Sequence, residues 1–494
     1  MRGNRWVLCA AVLSMVLTVQ PFRDSDVWWH LAVGRYTLAH GIPAAEPFSF
    51  LHAANAWSGP QWLYELFLVR AVDLGGPGLA SLVMGALASA ALLVAVLAIP
   101  SDRRPAGPWL AAALLLSAAV AAQLVGVRGQ VISLLGAALV LHVLMRWRAG
   151  SARALWVLPP LFAVWANLHG GFVIGLGILL IALVTVRGDA GRAGRRRLLV
   201  VTALSAAATL LNPSGVGAWT YLTLTVGNPT LTGLVTEWQP PDFHVTWLRL
   251  FELEAILLVI AWALARRRDL LDVVLAGAVF AASLEAQRNV SLFAIVAAPQ
   301  LARYGADAWT AHRSRLPRIA LGARRPPPRW FGAVLLGVAV AGTAAAVAPQ
   351  LSAASAARFE ATHEPRAAAD YAAAHLAGRR LYTVDTWGGY LAYRFPTGRV
   401  VYLYDETTVF GEAALQQYLD IHNLRESWSR AVRESGIAAA ILPDTAREVS
   451  ALVTVGWAVA CRDGESASVV MTPTAATEAP GDALPAIGSA PACH

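Results

Sequence analysis

The apolar positions of this chain come in long blocks separated by short polar stretches. The blocks fall at residues 6–19, 79–99, 109–126, 131–145, 154–166, 172–186, 198–211, 250–265, 270–284, 290–302 and 330–348. A helix that crosses a bilayer needs about 20 apolar residues, and fewer when it is buried among other helices. The pattern therefore predicts about eleven membrane-spanning helices. No small-x-small cleavage site precedes Gln20, so the first block reads as a retained helix. After residue 350 the pattern changes to mixed polar and apolar.

Composition agrees with the blocks. Hydrophobic residues make up 57% of the 494 positions and charged residues only 14%. A soluble domain carries about 25% charged residues, which excludes a soluble enzyme, a disordered chain and a disulfide scaffold. The net charge is +8, and every one of the 39 basic residues is arginine. These arginines cluster between apolar blocks: at Arg2 and Arg5, Arg103 and Arg104, Arg146 to Arg153, Arg187 to Arg197, Arg266 to Arg268, and Arg303 to Arg329. In an eleven-helix topology every dense cluster lies on one face. Positive residues stay cytoplasmic, so the N-terminus is expected inside and the chain after Gln350 outside. Topology accounts for the charge, and a nucleic-acid partner is not expected.

The opposite loops carry sparse polar groups: Asp24, Asp26, His30, Arg128, Asn167, His169, Asn212, Glu237, Glu285 and Arg288. The first outer loop, residues 20–78, is too long for a plain connector. Residues 26–39 have helical apolar spacing and are stopped by Gly41 and Pro43; residues 61–73 form a second amphipathic stretch. Trp28, Trp29, Trp57 and Trp62 read either as an aromatic belt at headgroup level or as a sugar or lipid platform. Asp24 and Asp26 lie just past the first helix. Two neighbouring carboxylates repel, which favours one as a general base, and they also suit a divalent cation such as Mg or Mn. The plainer role is an N-cap. Arg128 and Arg288 suit bidentate contact with a phosphate, or else an ion pair with Glu237 or Glu285. Asn167, His169, Glu237, Trp238 and His30 are candidate substrate contacts, the histidines being equally readable as structural. Polar groups at membrane depth are costly and face a cavity or a partner.

The ordered motifs D-x-D-x-W-W-H-L-x-x-G-R, H-G-I-P, E-P-F-S-F, W-A-N-L-H-G-G-F, L-N-P-x-G and E-W-Q-P-P cover the chain from Arg23 to Asn289. Together they resemble the GT-C superfamily of membrane glycosyltransferases, in a bacterial branch. The resemblance implies a multi-helix membrane domain whose first outer loop bears an acidic motif, a sugar donor on a polyprenyl phosphate, and chemistry on the outer face. It casts Asp24 or Asp26 as catalytic base or metal ligand, and Arg128 and Arg288 as donor-phosphate ligands. Three positions depart from the family pattern: Glu46 stands in place of Asp, Gln61 in place of His, and Tyr404-Asp405-Glu406-Thr407 in place of Asp-Gly-Arg.

The chain thus reads as an α-helical polytopic membrane protein (residues 1–350) with a small extracytoplasmic α/β domain (351–473) and a disordered tail (474–494). In the α/β domain, the stretches RLYTVD, GYLAYRF, RVVYLYD, IAAAILP, WAVACRD and SASVVMT read as strands. Cys461 and Cys493 form a disulfide if this region is exported, or stay free thiols. The expected function is sugar transfer, hexosyl or pentosyl, from a polyprenyl-phosphate donor to a lipid, glycan or protein acceptor in the cell envelope, as in glycolipid assembly, at the inner membrane. Its expected partners are that donor and the surrounding membrane lipids. The alternatives are a lipid or glycolipid transporter or flippase, and a non-catalytic glycan-assembly protein.

Overall fold

All eleven apolar blocks lie on helices. A computed structural model describes residues 2–51, 55–186, 191–313, 330–474 and 490–493. It places the blocks on Arg2–Thr18, the second half of Trp62–Leu97, Gly107–Ala121, Gln130–Arg148, Leu158–Leu168, Phe172–Thr185, Gly191–Ala208, Leu248–Leu264, Leu270–Glu285, Val290–His312 and Phe331–Val347. The run Trp62–Leu97 is two helices that meet at Gly75 and Gly76, where Gly76 takes φ +69°, open to glycine at no steric cost. Among the described residues, Trp62–Leu97 and Gln130–Arg148 are long and apolar enough to cross a membrane; several other apolar helices are shorter.

The chain divides into two compact units. The first, a helical unit, comprises Met1–Pro21, Gly78–Ala218 and Val235–Leu351; the second comprises Phe22–Pro77, Trp219–Leu234 and Ser352–His494. In the helical unit, small and hydroxyl residues allow close helix approach. Thr18 Oγ1 donates to Gly85 O at 2.9 Å, and Ser14 and Ser89 pair at 2.9 Å, contacts suited to helices packed without a hydrophobic driving force. The outward faces are apolar as well: Leu253, Ile256, Leu257, Val259, Ile260 and Leu264 are all exposed on one helix. A helix apolar on every side matches hydrocarbon surroundings, not water.

Helix Gln130–Arg148 separates two kinds of chemistry. At its far end Arg148 pairs with Asp269 at 2.8 Å, and Arg303 pairs with Asp272 at 3.1 Å near the start of the adjacent helix Leu270–Glu285. Its first turn holds Gln130 and Ser133, whose partners are described below. At 1.5 Å per residue these ends lie about 27 Å apart.

The second unit is α/β. Its strands are β1 (Leu381–Thr383), β2 (Ala439–Pro443), β3 (Trp457–Asp463) and β4 (Ser468–Pro473), in the order β1-β2-β4-β3. The β1–β2 pair is parallel and the other two pairs are antiparallel. Beyond β1, Val401 bridges to Leu381 on one side and to Ser49 on the other. The first loop thus extends the edge of the C-terminal sheet.

Two expectations need correction. GYLAYRF is not a strand; it belongs to helix Asp385–Arg394. Its aromatic content suggested β structure, but Trp387, Tyr390 and Leu391 recur at helical spacing and are all buried. The helix is drawn in by glycine: a Cβ on Gly388 would lie 2.2 Å from Leu403 O, and one on Gly389 would lie 3.3 Å from Ser25 O. The tryptophan platform also fails. Trp28, Trp29 and Trp57 are buried within this unit, Trp28 stacking edge-on with Tyr390 at 5.0 Å. RVVYLYD contributes only single bridges. Of the expected disordered tail, positions 475–489 and 494 lie outside the described residues. Cys493 forms the disulfide with Cys461, and its backbone N donates to Arg462 O at 3.0 Å.

Candidate functional site

The residues expected to act fall into two groups, one in each unit. In the α/β unit the acidic pair opens helix Asp26–His40. Asp24 Oδ1 accepts the Asp26 backbone N–H at 3.2 Å, so Asp24 serves the helix start. Asp26 sits in the first helical turn, where negative charge complements the helix dipole. Sequence reasoning missed its neighbours. Asp405 is hydrogen-bonded to Asp26 and to Ser25, and its Oδ2 is shut off from solvent with no partner among the described residues. A carboxyl–carboxyl hydrogen bond needs a proton. Burial first, then the Asp26 and Asp385 charges, raise the pKa of Asp405 well above the carboxylate range.

Next in sequence, Glu406 accepts hydrogen bonds from Thr408 Oγ1 and, at 3.2 Å, from Tyr221 Oη. Burial pushes it up to about 7 against those two hydrogen bonds, with a smaller upward contribution from Asp26. The signal for both residues was already visible: Tyr404-Asp405-Glu406 is a departure from the family pattern. His30 is buried, with Nδ1 3.4 Å from Glu65 Oε1 and its ring centroid 3.6 Å from that of Trp29, the two planes tilted by 31°. Glu46 is structural: its carboxylate accepts the backbone N–H groups of Phe48 (2.6 Å) and Ser49 (2.7 Å) and the Tyr404 hydroxyl (3.0 Å). No group of three or more His, Cys, Asp or Glu side chains able to hold one metal ion occurs among the described residues.

In the helical unit, two short 3₁₀ turns, Thr236–Trp238 and Gln287–Asn289, are tied together. Gln287 N donates to Gln239 O at 2.9 Å, and its side-chain amide donates to Thr236 O at 2.7 Å. This pairing sets Glu237 between two guanidinium groups, Arg128 at 2.6 Å and Arg288 at 3.5 Å. Arg288 also lies over the Trp238 ring at 4.2 Å. Two arginines face the Glu237 carboxylate. Arg128, Arg288, Glu237 and Trp238 are therefore brought together, and the ion pair foreseen as the plainer role is present within the cluster.

His169 follows helix Leu158–Leu168. Its Nδ1 lies 2.7 Å from Ser133 Oγ and accepts the Gly171 backbone N–H at 3.0 Å, while Trp165 Nε1 donates to the same Ser133 Oγ at 2.9 Å. Burial, then the charge of Arg288, push His169 down to about 3, so the imidazole is neutral. Asn167 turns inward and donates to Ala163 O at 2.8 Å, a structural contact. Glu285 is exposed, and the carboxylate that faces Arg288 is that of Glu237. Ser133 was the other residue missed; it lies inside an apolar block with no motif to mark it.

No family model matches the chain, and no curated protein matches it in sequence. Its fold has solved counterparts. It is similar to the oligosaccharyltransferase of Archaeoglobus fulgidus in the apo form, with a TM-score of 0.54 at 13% identity, over 90% of this chain and 69% of that one. It matches the same archaeon's oligosaccharyltransferase AglB, in complex with an inhibitory peptide and a dolichol-phosphate, equally well (TM-score 0.54, 11% identity, the same coverage). ArnT from Cupriavidus metallidurans bound to undecaprenyl phosphate matches with a TM-score of 0.50 at 17% identity, over 97% of this chain and 98% of that one. The chain shares the fold of these solved structures.

Proposed function

We propose that this chain is an integral membrane glycosyltransferase that moves a sugar from a polyprenyl-phosphate donor to an acceptor hydroxyl on the outer face of the inner membrane. The observation that carries the reading is the end-to-end match of its fold to ArnT, a protein solved with undecaprenyl phosphate bound. Three further features support it. The outward helix faces of the helical unit are apolar. The disulfide of the α/β unit belongs in an oxidising compartment, on the extracytoplasmic side. The Arg128–Glu237–Arg288 cluster presents two guanidinium groups, of the kind that stabilises a leaving phosphate.

In this reading Asp24 or Asp26 takes the proton of the acceptor hydroxyl. The acceptor oxygen attacks the anomeric carbon, the bond from that carbon to the phosphate oxygen breaks, and polyprenyl phosphate leaves with the electron pair. One carboxylate suffices for such a direct displacement, with inversion at the anomeric carbon. The test is mass spectrometry of envelope glycolipids and glycans from a strain lacking this chain, complemented with wild type, Asp24→Asn, Asp26→Asn and the double variant. One product should vanish on deletion and return with wild type but not with the double variant. Full product from the double variant, at normal protein level, would end the proposal.

A further inference from the structure

The hydrogen bonds around His169 fix where its proton sits. The Gly171 backbone N–H can only donate, so Nδ1 is an acceptor. Trp165 Nε1–H also can only donate, which leaves the Ser133 hydroxyl hydrogen free to point at Nδ1. Nδ1 thus receives two donors, and the proton of the neutral ring sits on Nε2. The lock is tightly built: Ser133 and Trp165 are buried, and a Cβ on Gly171 would lie 2.2 Å from Ser133 Oγ.

The same helix turn that holds His169 also holds Arg288. Gln130 Nε2 donates to Arg288 O at 2.9 Å, and Ser133, three residues on, lies on the same helix face. An uncharged N–H donor is thereby built within reach of the Arg288 charge. An imidazolium would be repelled there; a neutral donor adds a hydrogen bond without charge. This chemistry suits an anion with several acceptor oxygens.

We infer that His169, oriented by Ser133 and Gly171, donates its Nε2–H to a phosphate oxygen of the polyprenyl-phosphate lipid, with Arg288 as the charged partner; this rests on the transferase reading above. Ser133 is a positioning residue, and His169 is the binding group.

The test uses the full chain in lipid nanodiscs with ¹⁵N-labelled histidine, probed with undecaprenyl phosphate and, separately, with inorganic phosphate. The His169 resonances are those lost in His169→Gln. They should report a bare Nδ1 and a protonated Nε2 at neutral pH. Undecaprenyl phosphate should move Nε2 and leave Nδ1 in place, and inorganic phosphate at equal concentration should not. Gln keeps a donor near the Nε2 position, whereas Asn keeps only an acceptor near Nδ1. His169→Asn should therefore weaken undecaprenyl phosphate binding about ten- to a hundredfold, the worth of one hydrogen bond to a charged group, with His169→Gln clearly closer to wild type.

A proton on Nδ1, or wild-type affinity in a folded His169→Asn variant, overturns the assignment. An Nε2 response to inorganic phosphate equal to that for the lipid overturns the lipid as ligand. If wild type binds undecaprenyl phosphate but fails these comparisons, only the His169 assignment falls. If wild type does not bind it at all, the transferase reading falls as well.

Discussion

Glu406→Gln is the most direct probe of the acidic cluster. Glu406 is buried, and its pKa is pushed up to about 7 from 4.5. A carboxyl whose folded-state pKa exceeds its unfolded value is held protonated by the fold. Stability is therefore fully present below pH 4.5, falls as pH rises toward 7, and stays at the reduced level above. At 1.36 kcal/mol per pKa unit this group removes about 3 kcal/mol across that window. Glutamine copies the protonated acid in shape and keeps one acceptor for Thr408 or Tyr221, but it does not titrate. Wild type and Glu406→Gln should unfold alike near pH 4.5, and the variant should gain about 3 kcal/mol over wild type by pH 8. For a unit of this size that is a midpoint difference of roughly 6–12 °C, readable by thermal unfolding in nanodiscs. Asp405 and Glu364, also raised, titrate in both proteins and cancel in the comparison. Parallel curves from pH 4.5 to 8 would refute the reasoning and mean that Glu406 ionises normally.

Four other outcomes follow from the geometry. Glu237→Gln should cost no more than about 1 kcal/mol of stability, because the pair is partly exposed, and should tighten undecaprenyl phosphate binding severalfold by unmasking two guanidinium groups; weaker binding would mean Glu237 is needed to aim them. Gly388→Ala should lower the unfolding midpoint by the equivalent of about 1–3 kcal/mol through overpacking against Leu403 O, whereas Gly177→Ala, with open space at its Cβ, should not destabilise. Thiol counting on unfolded, unreduced protein should find one cysteine, Cys9, and three after reduction; three without reduction would place the α/β unit in a reducing compartment. Cys461→Ser should cost about 4 kcal/mol from the loop it reopens, 32 residues in separation.

The helices were legible because each had to bury or expose apolar residues along its whole length, and a block of that kind has few other solutions. The Arg128–Glu237–Arg288 cluster was legible as residue types but not as an arrangement, since the two turns that tie it together lie about 50 residues apart. Ser133 gave no sign of itself: a hydroxyl in an apolar helix reads as tolerated, and only its two partners give it a role. Helix Asp385–Arg394 misled because a helix buried all round loses the polar face that would reveal its period. Asp405 and Glu406 were noticed only as exceptions to a pattern, and their burial depends on chain segments far away in sequence.

The α/β unit is woven from three separate stretches of chain, and this bears on its biosynthesis. Segment Phe22–Pro77 leaves the ribosome roughly 275 residues before Ser352, so at 5–20 residues per second it waits about 15–55 s for its counterpart. Through that interval Trp28 lacks Glu364, Ser49 lacks Tyr402, and Glu46 lacks Tyr404. A nascent chain stalled or truncated before residue 352 would display that half-made loop without its counterparts, an exposed target for chaperones and proteases.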